Sequence, residues 1–392
     1  MKNVKNILGT GLLILAFGST YGGELNTMSP EAETTTTKVV TEKTNSPANV
    51  VKIALLLDTS NSMDGLINQA KAQLWDIVNK FTTAKCGNQQ RPNLQIALYQ
   101  YGNDDLSSRE GYIQQVIGFS SDLDEISEKL FSLTTNGGEE YCGQVIHTSL
   151  GQLEWGKNKN HLKMIFIAGN EPFTQGKLDY RDAVVNAKEK DIVVNTIFCG
   201  NYEQGIKTHW KSGAILTGGE YMAIDHNKRV VHVATPYDEI IIKLNSRLNK
   251  TYISYGALGA SKMRNQAAQD ANAMELEEVV AVKRAVSKSS RLYKNSSWDL
   301  VDASDDSEFD VAKIDKDQLP TEFKGKSDSE IEHLIQLKKS ERSTIQKEIQ
   351  EANAKREKFI AQQQKQTRGE LENAMLKAIQ RQAAKKNYHW DQ

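Results

Sequence analysis

Asp58, Ser60 and Ser62 place one carboxylate and two hydroxyls at alternate positions of the pentapeptide Asp58-Thr59-Ser60-Asn61-Ser62. A donor set made only of oxygen suits a hard divalent cation such as magnesium or calcium. The pentapeptide follows the apolar run Val50-Val51-Lys52-Ile53-Ala54-Leu55-Leu56-Leu57 and precedes a helical pattern that begins near Met63. It is therefore expected at a strand-to-helix junction, where the unpaired N–H groups of the first helical turn can fix the loop. Asp-x-Ser-x-Ser alone is a weak pattern. At the end of a buried strand it reads as a cation cradle, and the competing reading is a rim held by hydrogen bonds.

Other reactive constellations are missing. The seven histidines make no Ser/His/Asp or metal-ligand spacing, with His147 expected on a helix face and His161 in a loop. No Gly-x-Ser-x-Gly elbow and no phosphate loop is present, so the residues offer nothing for an enzyme reading. The polar turn 102–111 carries Asp104, Asp105 and Glu110, read either as a solvated turn or as added negative potential beside Asp58.

The elements that must position the pentapeptide alternate. Strand-like runs occur at 51–57, 94–101, 112–119, 163–168 and 192–198, with shorter ones at 221–224 and 230–233. Helical patterns lie between them at 65–81, 123–133, 144–155, 180–189 and 237–248. Several strands are apolar on both faces, as parallel strands covered by helices are. The expected fold is a doubly wound, mostly parallel α/β sheet with right-handed crossovers, whose ligands bind beyond the carboxyl ends of the strands. Asp58 ends the first strand at that rim. Cys142 and Cys199 are expected at the same rim and Cys86 at the opposite end. A Cys142–Cys199 bridge is thus the pairing that the topology favours, against three unpaired thiols.

Outside this region the chain is polar. Its 392 residues carry a formal net charge of -1, which leaves no global basic field for nucleic acid. Residues 1–23 combine a basic start, the apolar stretch Leu12-Leu13-Ile14-Leu15-Ala16-Phe17 and small residues, the pattern of a secretory signal peptide. An uncleaved anchor is the competing reading. Residues 24–49 read as a flexible linker. Past residue 254 the chain reads as helical. The stretch 266–288 is expected as helix, and from Asp328 a thin apolar stripe leaves open a coiled coil or a solvated single helix with partial disorder. Tyr388-His389-Trp390 reads as a frayed terminus or a short docking tail.

Residues 50–253 resemble a von Willebrand factor type A domain. The resemblance rests on the pentapeptide, on Asn136-Gly137-Gly138 before a helix, and on Ile165-Phe166-Ile167-Ala168-Gly169-Asn170 closing the fourth long strand. It implies a metal-ion-dependent adhesion site, usually holding magnesium, in which Asp58, Ser60 and Ser62 are ligands and a partner's acidic group completes the coordination. Two positions depart from the family pattern. Glu139-Glu140 stands where a Thr usually follows the glycine pair, and Gly169 stands where an Asp is usual. Glu140 and Glu171 are near enough in sequence to restore oxygen ligands.

The sequence therefore predicts a non-enzymatic exported adhesion or scaffolding protein of the periplasm, cell envelope or exterior. It would bind a protein partner through a Mg2+ or Ca2+ site of Asp58, Ser60, Ser62, Glu140 and Glu171. The alternative is a structural or regulatory envelope component that acts through its helical tail, with a vestigial metal site. Neither reading involves nucleic acid or an integral membrane span in the mature chain. Oligomeric state is not encoded in any pattern found.

Overall fold

The computed structural model describes residues 49–87, 89–228, 233–363 and 370–390. The expected signal peptide, all but the last residue of the expected linker, and nearly all of the strand expected at 230–233 lie outside the described residues.

From the amino end the elements are β1 (Val50–Asp58), α1 (Asp64–Thr82), β2 (Ala84–Cys86), β3 (Asn93–Tyr101), β4 (Ile113–Ser120), α2 (Leu123–Phe131) and α3 (Cys142–Gln152). Next come β5 (Leu162–Gly169), α4 (Tyr180–Glu189), β6 (Val193–Cys199), α5 (Tyr202–Lys207), α6 (Trp210–Ile215), β7 (Tyr221–Ile224) and α7 (Asp238–Asn249). The carboxyl-terminal part holds α8 (Gly259–Leu276), α9 (Glu278–Lys288), α10 (Leu300–Ala303), α11 (Asp328–Gln362), α12 (Glu370–Ala384) and β8 (Tyr388–Trp390).

The main sheet has the order β4-β3-β1-β5-β6-β7. All its pairs are parallel except β3 with β4, an antiparallel edge. Strand β1 lies at the centre and is buried almost along its full length, which is why its sequence is apolar at successive positions rather than alternate ones. Each face of the sheet supplies one core. Leu55, Leu57 and Phe166 pack against α1, α7, α9 and α12 on one side, and Ala54, Leu56 and Ile167 pack against α3, α4 and α6 on the other. The helix starts are fixed locally. Asp122 accepts from the amides of Asp124 and Glu125, Asp179 from that of Arg181, and Ser327 forms a reciprocal capping box with Glu330.

The carboxyl-terminal helices depart from expectation. The helix expected over 266–288 is two helices, because Glu277 is extended with φ -166° and ψ 145°. Helix α11 is continuous for 35 residues, but its stripe of Ile331, Ile335, Ile345 and Ile349 is buried within its own chain. Its neighbours are α7, α9 and α10, which take up the apolar face that a coiled coil or a solvated helix would have presented elsewhere.

Arg342 anchors α11 by a bidentate pair with Asp299 at 2.6 and 3.2 Å, and its guanidinium stacks over the Tyr252 ring at 4.0 Å. The stretch expected as a frayed end or docking tail forms a strand. Residues 388–390 pair antiparallel with β2, and Trp390 Nε1 donates to the Lys80 carbonyl at 2.7 Å. No helix among the described residues is long and apolar enough to cross a membrane.

Candidate functional site

Parallel strands bring Asp58, Tyr101, Gly169 and Cys199 to one end of the sheet, since each closes its strand there. The loop after β1 is tied down from both sides. The Thr59 amide donates to the Tyr101 carbonyl at 2.9 Å, and the Asn136 amide donates to the Thr59 carbonyl at 3.0 Å. The pentapeptide and the Asn136-Gly137-Gly138 segment are thus one rim.

Within it, Asp58 and Ser60 are buried and Ser62 is exposed. Asp58 Oδ1 accepts from the Ser60 amide at 2.8 Å, while Asp58 Oδ2 and Ser60 Oγ are buried without a hydrogen-bond partner. Ser62 Oγ accepts from Asn170 Nδ2 at 3.1 Å, so Asn170 links the end of β5 to the pentapeptide. Glu140 is buried, and its amide donates to Gln175 Oε1 at 3.1 Å. Glu171 is half-buried, and its carbonyl accepts from Trp210 Nε1 at 2.8 Å. Asp104 and Asp105 are exposed on the adjoining turn, where Asp105 accepts from Asn136 Nδ2 at 3.0 Å.

The electrostatics follow from buried carboxyls placed close together. Burial pushes Asp58 up to about 7. The Ser60 amide and hydroxyl and the Asn170 backbone oppose that rise, while Glu171 adds to it. Burial pushes Glu140 up to about 8, with Asp58 and Glu171 repelling its charge in turn. The Ser60 hydroxyl lies beside both carboxyls yet completes a hydrogen bond with neither.

Glycines allow this crowding. A Cβ on Gly102 would lie 2.6 Å from Glu140 Cγ and 3.1 Å from Asp58 Oδ1, and the φ of Gly102 is +78°. A Cβ on Gly169 would lie 2.5 Å from the Tyr101 hydroxyl and 2.9 Å from Asp58 Oδ2. Tyr101 therefore takes the space in which a side chain at position 169 would begin. The sequence reading passed over both Tyr101 and Gly102, since an apolar strand end and a turn glycine carry no ligand signal.

Two unpartnered oxygens aimed into an acidic rim fit a divalent cation, because a buried polar atom without a partner is otherwise costly. The convergence is incomplete. Among the described residues no group of three or more His, Cys, Asp or Glu is arranged to hold a metal ion. The donors that fit are Asp58, Ser60 and Glu140, with Ser62 and Glu171 on the margin. The expected disulfide is absent. Cys142 and Cys199 are both free and buried, and they belong to the cores on opposite faces of the sheet, so the sheet separates them.

The model of the von Willebrand factor type A domain matches residues 52–206. No curated protein matches the chain. Solved structures that match part of the chain include proximal thread matrix protein 1 from the mussel byssus with a zinc-occupied MIDAS motif. It is 15% identical with a TM-score of 0.35, covering 46% of this chain and 43% of that one. The pilus adhesin SpaC of Lactobacillus rhamnosus GG is 14% identical with a TM-score of 0.34, covering 46% of this chain and 28% of that one. The conserved hypothetical protein BatB of Bacteroides thetaiotaomicron is 15% identical with a TM-score of 0.33, covering 45% of this chain and 90% of that one. This chain thus spans less than half the length of the mussel protein and of the adhesin. It carries a von Willebrand factor A-like α/β domain with a mostly parallel sheet, followed by a helical carboxyl-terminal region.

Proposed function

We propose that this protein is a non-enzymatic exported adhesion or scaffolding protein that engages an acidic group of a protein partner through a divalent cation on its rim. The observation that carries the reading is the pair of buried, unpartnered oxygens, Asp58 Oδ2 and Ser60 Oγ, beside the buried Glu140. A bound Mg2+ or Ca2+ would supply an open coordination position for the partner's carboxylate. The protein's own residues do the rest. Asp58 and Ser60 provide fixed oxygens, and Glu140 adds charge from the neighbouring loop. Asn170 orients Ser62, and the glycines at 102 and 138 let the loops approach.

The test is thermal unfolding in magnesium, in calcium and in chelator. A cation that binds the folded state must raise its melting temperature by mass action, and Asp58→Ala must abolish the rise. Unchanged melting in all three conditions sinks the reading.

A second reading keeps the rim as a vestige and gives the partner contact to the helical carboxyl-terminal region. The observation in its favour is the Tyr101 hydroxyl in the space of a third acid at position 169. It expects partner capture that survives Asp58→Ala.

A further inference from the structure

Charge is segregated along the strand axis. The rim carries Asp58, Asp104, Asp105, Glu110, Glu140 and Glu171. The opposite pole, where the parallel strands begin, gathers lysines. Lys52 of β1 and Lys163 of β5 are register partners on adjacent strands, an arrangement of like charges that weakens a sheet. Their ammonium groups are held by loop carbonyls, Lys52 by that of Glu154 and Lys163 by those of Gly156 at 3.3 Å and Lys190 at 2.7 Å. Lys386, just before β8, donates to the Lys159 carbonyl at 2.7 Å and to Asp191 at 2.5 Å.

Burial and the positive field of Lys52, Lys163 and Lys386 together lower the pKa of His161 among them. Lys157, Lys159 and Lys385 stand exposed around this group. The acids that face it are Glu154 and Asp191, too few to neutralise it.

We propose that this basic pole is a docking surface for an anionic lipid bilayer. One observation selects a bilayer over other polyanions. Trp390 is partly exposed there beside Lys80, whose ammonium lies 5.0 Å from its ring, and aromatic and cationic side chains together suit a headgroup interface. Docking by this pole turns the acidic rim away from the membrane, towards a partner. The inference does not depend on the cation reading, because it uses none of the rim residues.

The test is partition of the full chain onto vesicles of phosphatidylcholine with and without phosphatidylglycerol, in low salt and in about 0.5 M salt, where surface attraction is screened. Binding should require phosphatidylglycerol, vanish in high salt, and weaken by about a hundredfold or more in Lys157→Glu/Lys159→Glu/Lys385→Glu, as the attraction expected of three surface lysines implies. The altered side chains are exposed, so the variant should melt with the parent, and Asp58→Ala should bind vesicles normally. No partition onto anionic vesicles overturns the proposal. So does equal binding to pure phosphatidylcholine, binding indifferent to the triple reversal, or capture by RNA or heparin without capture by vesicles.

Discussion

The Tyr101 hydroxyl donates a 2.9 Å hydrogen bond to the Ala168 carbonyl, and in doing so it stands where a side chain on Gly169 would begin. Tyr101 is fully buried, so its ring cannot swing out to make room. The glycine at the end of β5 and the tyrosine at the end of β3 are therefore coupled in physical terms: the phenol fills the space that a side chain at position 169 would need.

An acid placed at position 169 should not be tolerated. Gly169→Asp forces a Cβ against both the Tyr101 hydroxyl and Asp58 Oδ2, and overpacking of this kind costs about 1–3 kcal/mol. Denaturant unfolding should show that loss, and Gly169→Asp/Tyr101→Phe should recover part of it, more so in magnesium than in chelator. A Gly169→Asp protein as stable as the parent would mean that the tyrosine yields and the crowding is not real.

Protons and metal should compete at the rim. The carboxyls of Asp58 and Glu140 are raised in the folded state, mainly by burial, to about 7 and about 8 from 3.8 and 4.5. A raised carboxyl contributes stability that is present below its unfolded value and lost as pH rises through its folded value. In chelator, stability should thus decline between about pH 4 and pH 8. Magnesium should lessen that decline and bind more tightly at pH 8 than at pH 6, because binding then displaces fewer protons. Calorimetry in buffers of different ionisation enthalpy reads the proton release directly.

The sequence made the sheet legible because its strands are apolar on both faces and its helices are capped by local Asp, Asn and Ser side chains. The strands seen at 50–58, 93–101, 162–169 and 221–224 lie within a residue of those expected. The pentapeptide was legible for the same reason, as polar residues at the end of an apolar run. Helices α5 and α6 were not, since each is only six residues long, under two turns, and Gly205 and Gly213 interrupt any periodic signal. The docking of α11 and β8 was hidden too. Arg342 and Trp390 reveal their partners only when residues distant in sequence are brought together.

A buried ionic network should give the opposite pH signature. Asp270 pairs with Lys288 at 2.8 Å and Arg284 at 2.6 Å, and Arg284 also meets Asp124 at 2.8 Å, joining α2, α8 and α9. Burial alone would raise the Asp270 carboxyl, but Lys288 and Arg284 together hold it well below its ordinary 3.8. A depressed carboxyl contributes stability above its unfolded value and loses it as pH falls, so this contribution should persist above about pH 4 and fade below it. Asp270→Asn should remove that acid dependence. It should also cost about 3–5 kcal/mol at neutral pH, because the buried Lys288 loses its counter-charge and Arg284 keeps only Asp124.

The carboxyl-terminal region needs a gentler test than removal. Leu371, Met375, Ala378 and Ile379 of α12 and Tyr388 of β8 share the core of β1 and α1. Deleting everything after residue 327 would also strip Ile345 and Ile349 from that core, and the loss of several buried aliphatic side chains at about 2–5 kcal/mol each exceeds the stability of most domains. Such a deletion should unfold the protein, and lost partner capture would then say nothing about where the partner binds. Leu337 is the cleaner probe, for it is 53% exposed on α11 while its neighbours Ile331 and Ile335 face inward. Leu337→Asp should leave melting within about 0.5 kcal/mol of the parent, as surface changes do. If the helical region carries the contact, that variant should lose the partner while Asp58→Ala keeps it. If the rim carries the contact, the two variants should exchange outcomes in the same pull-down.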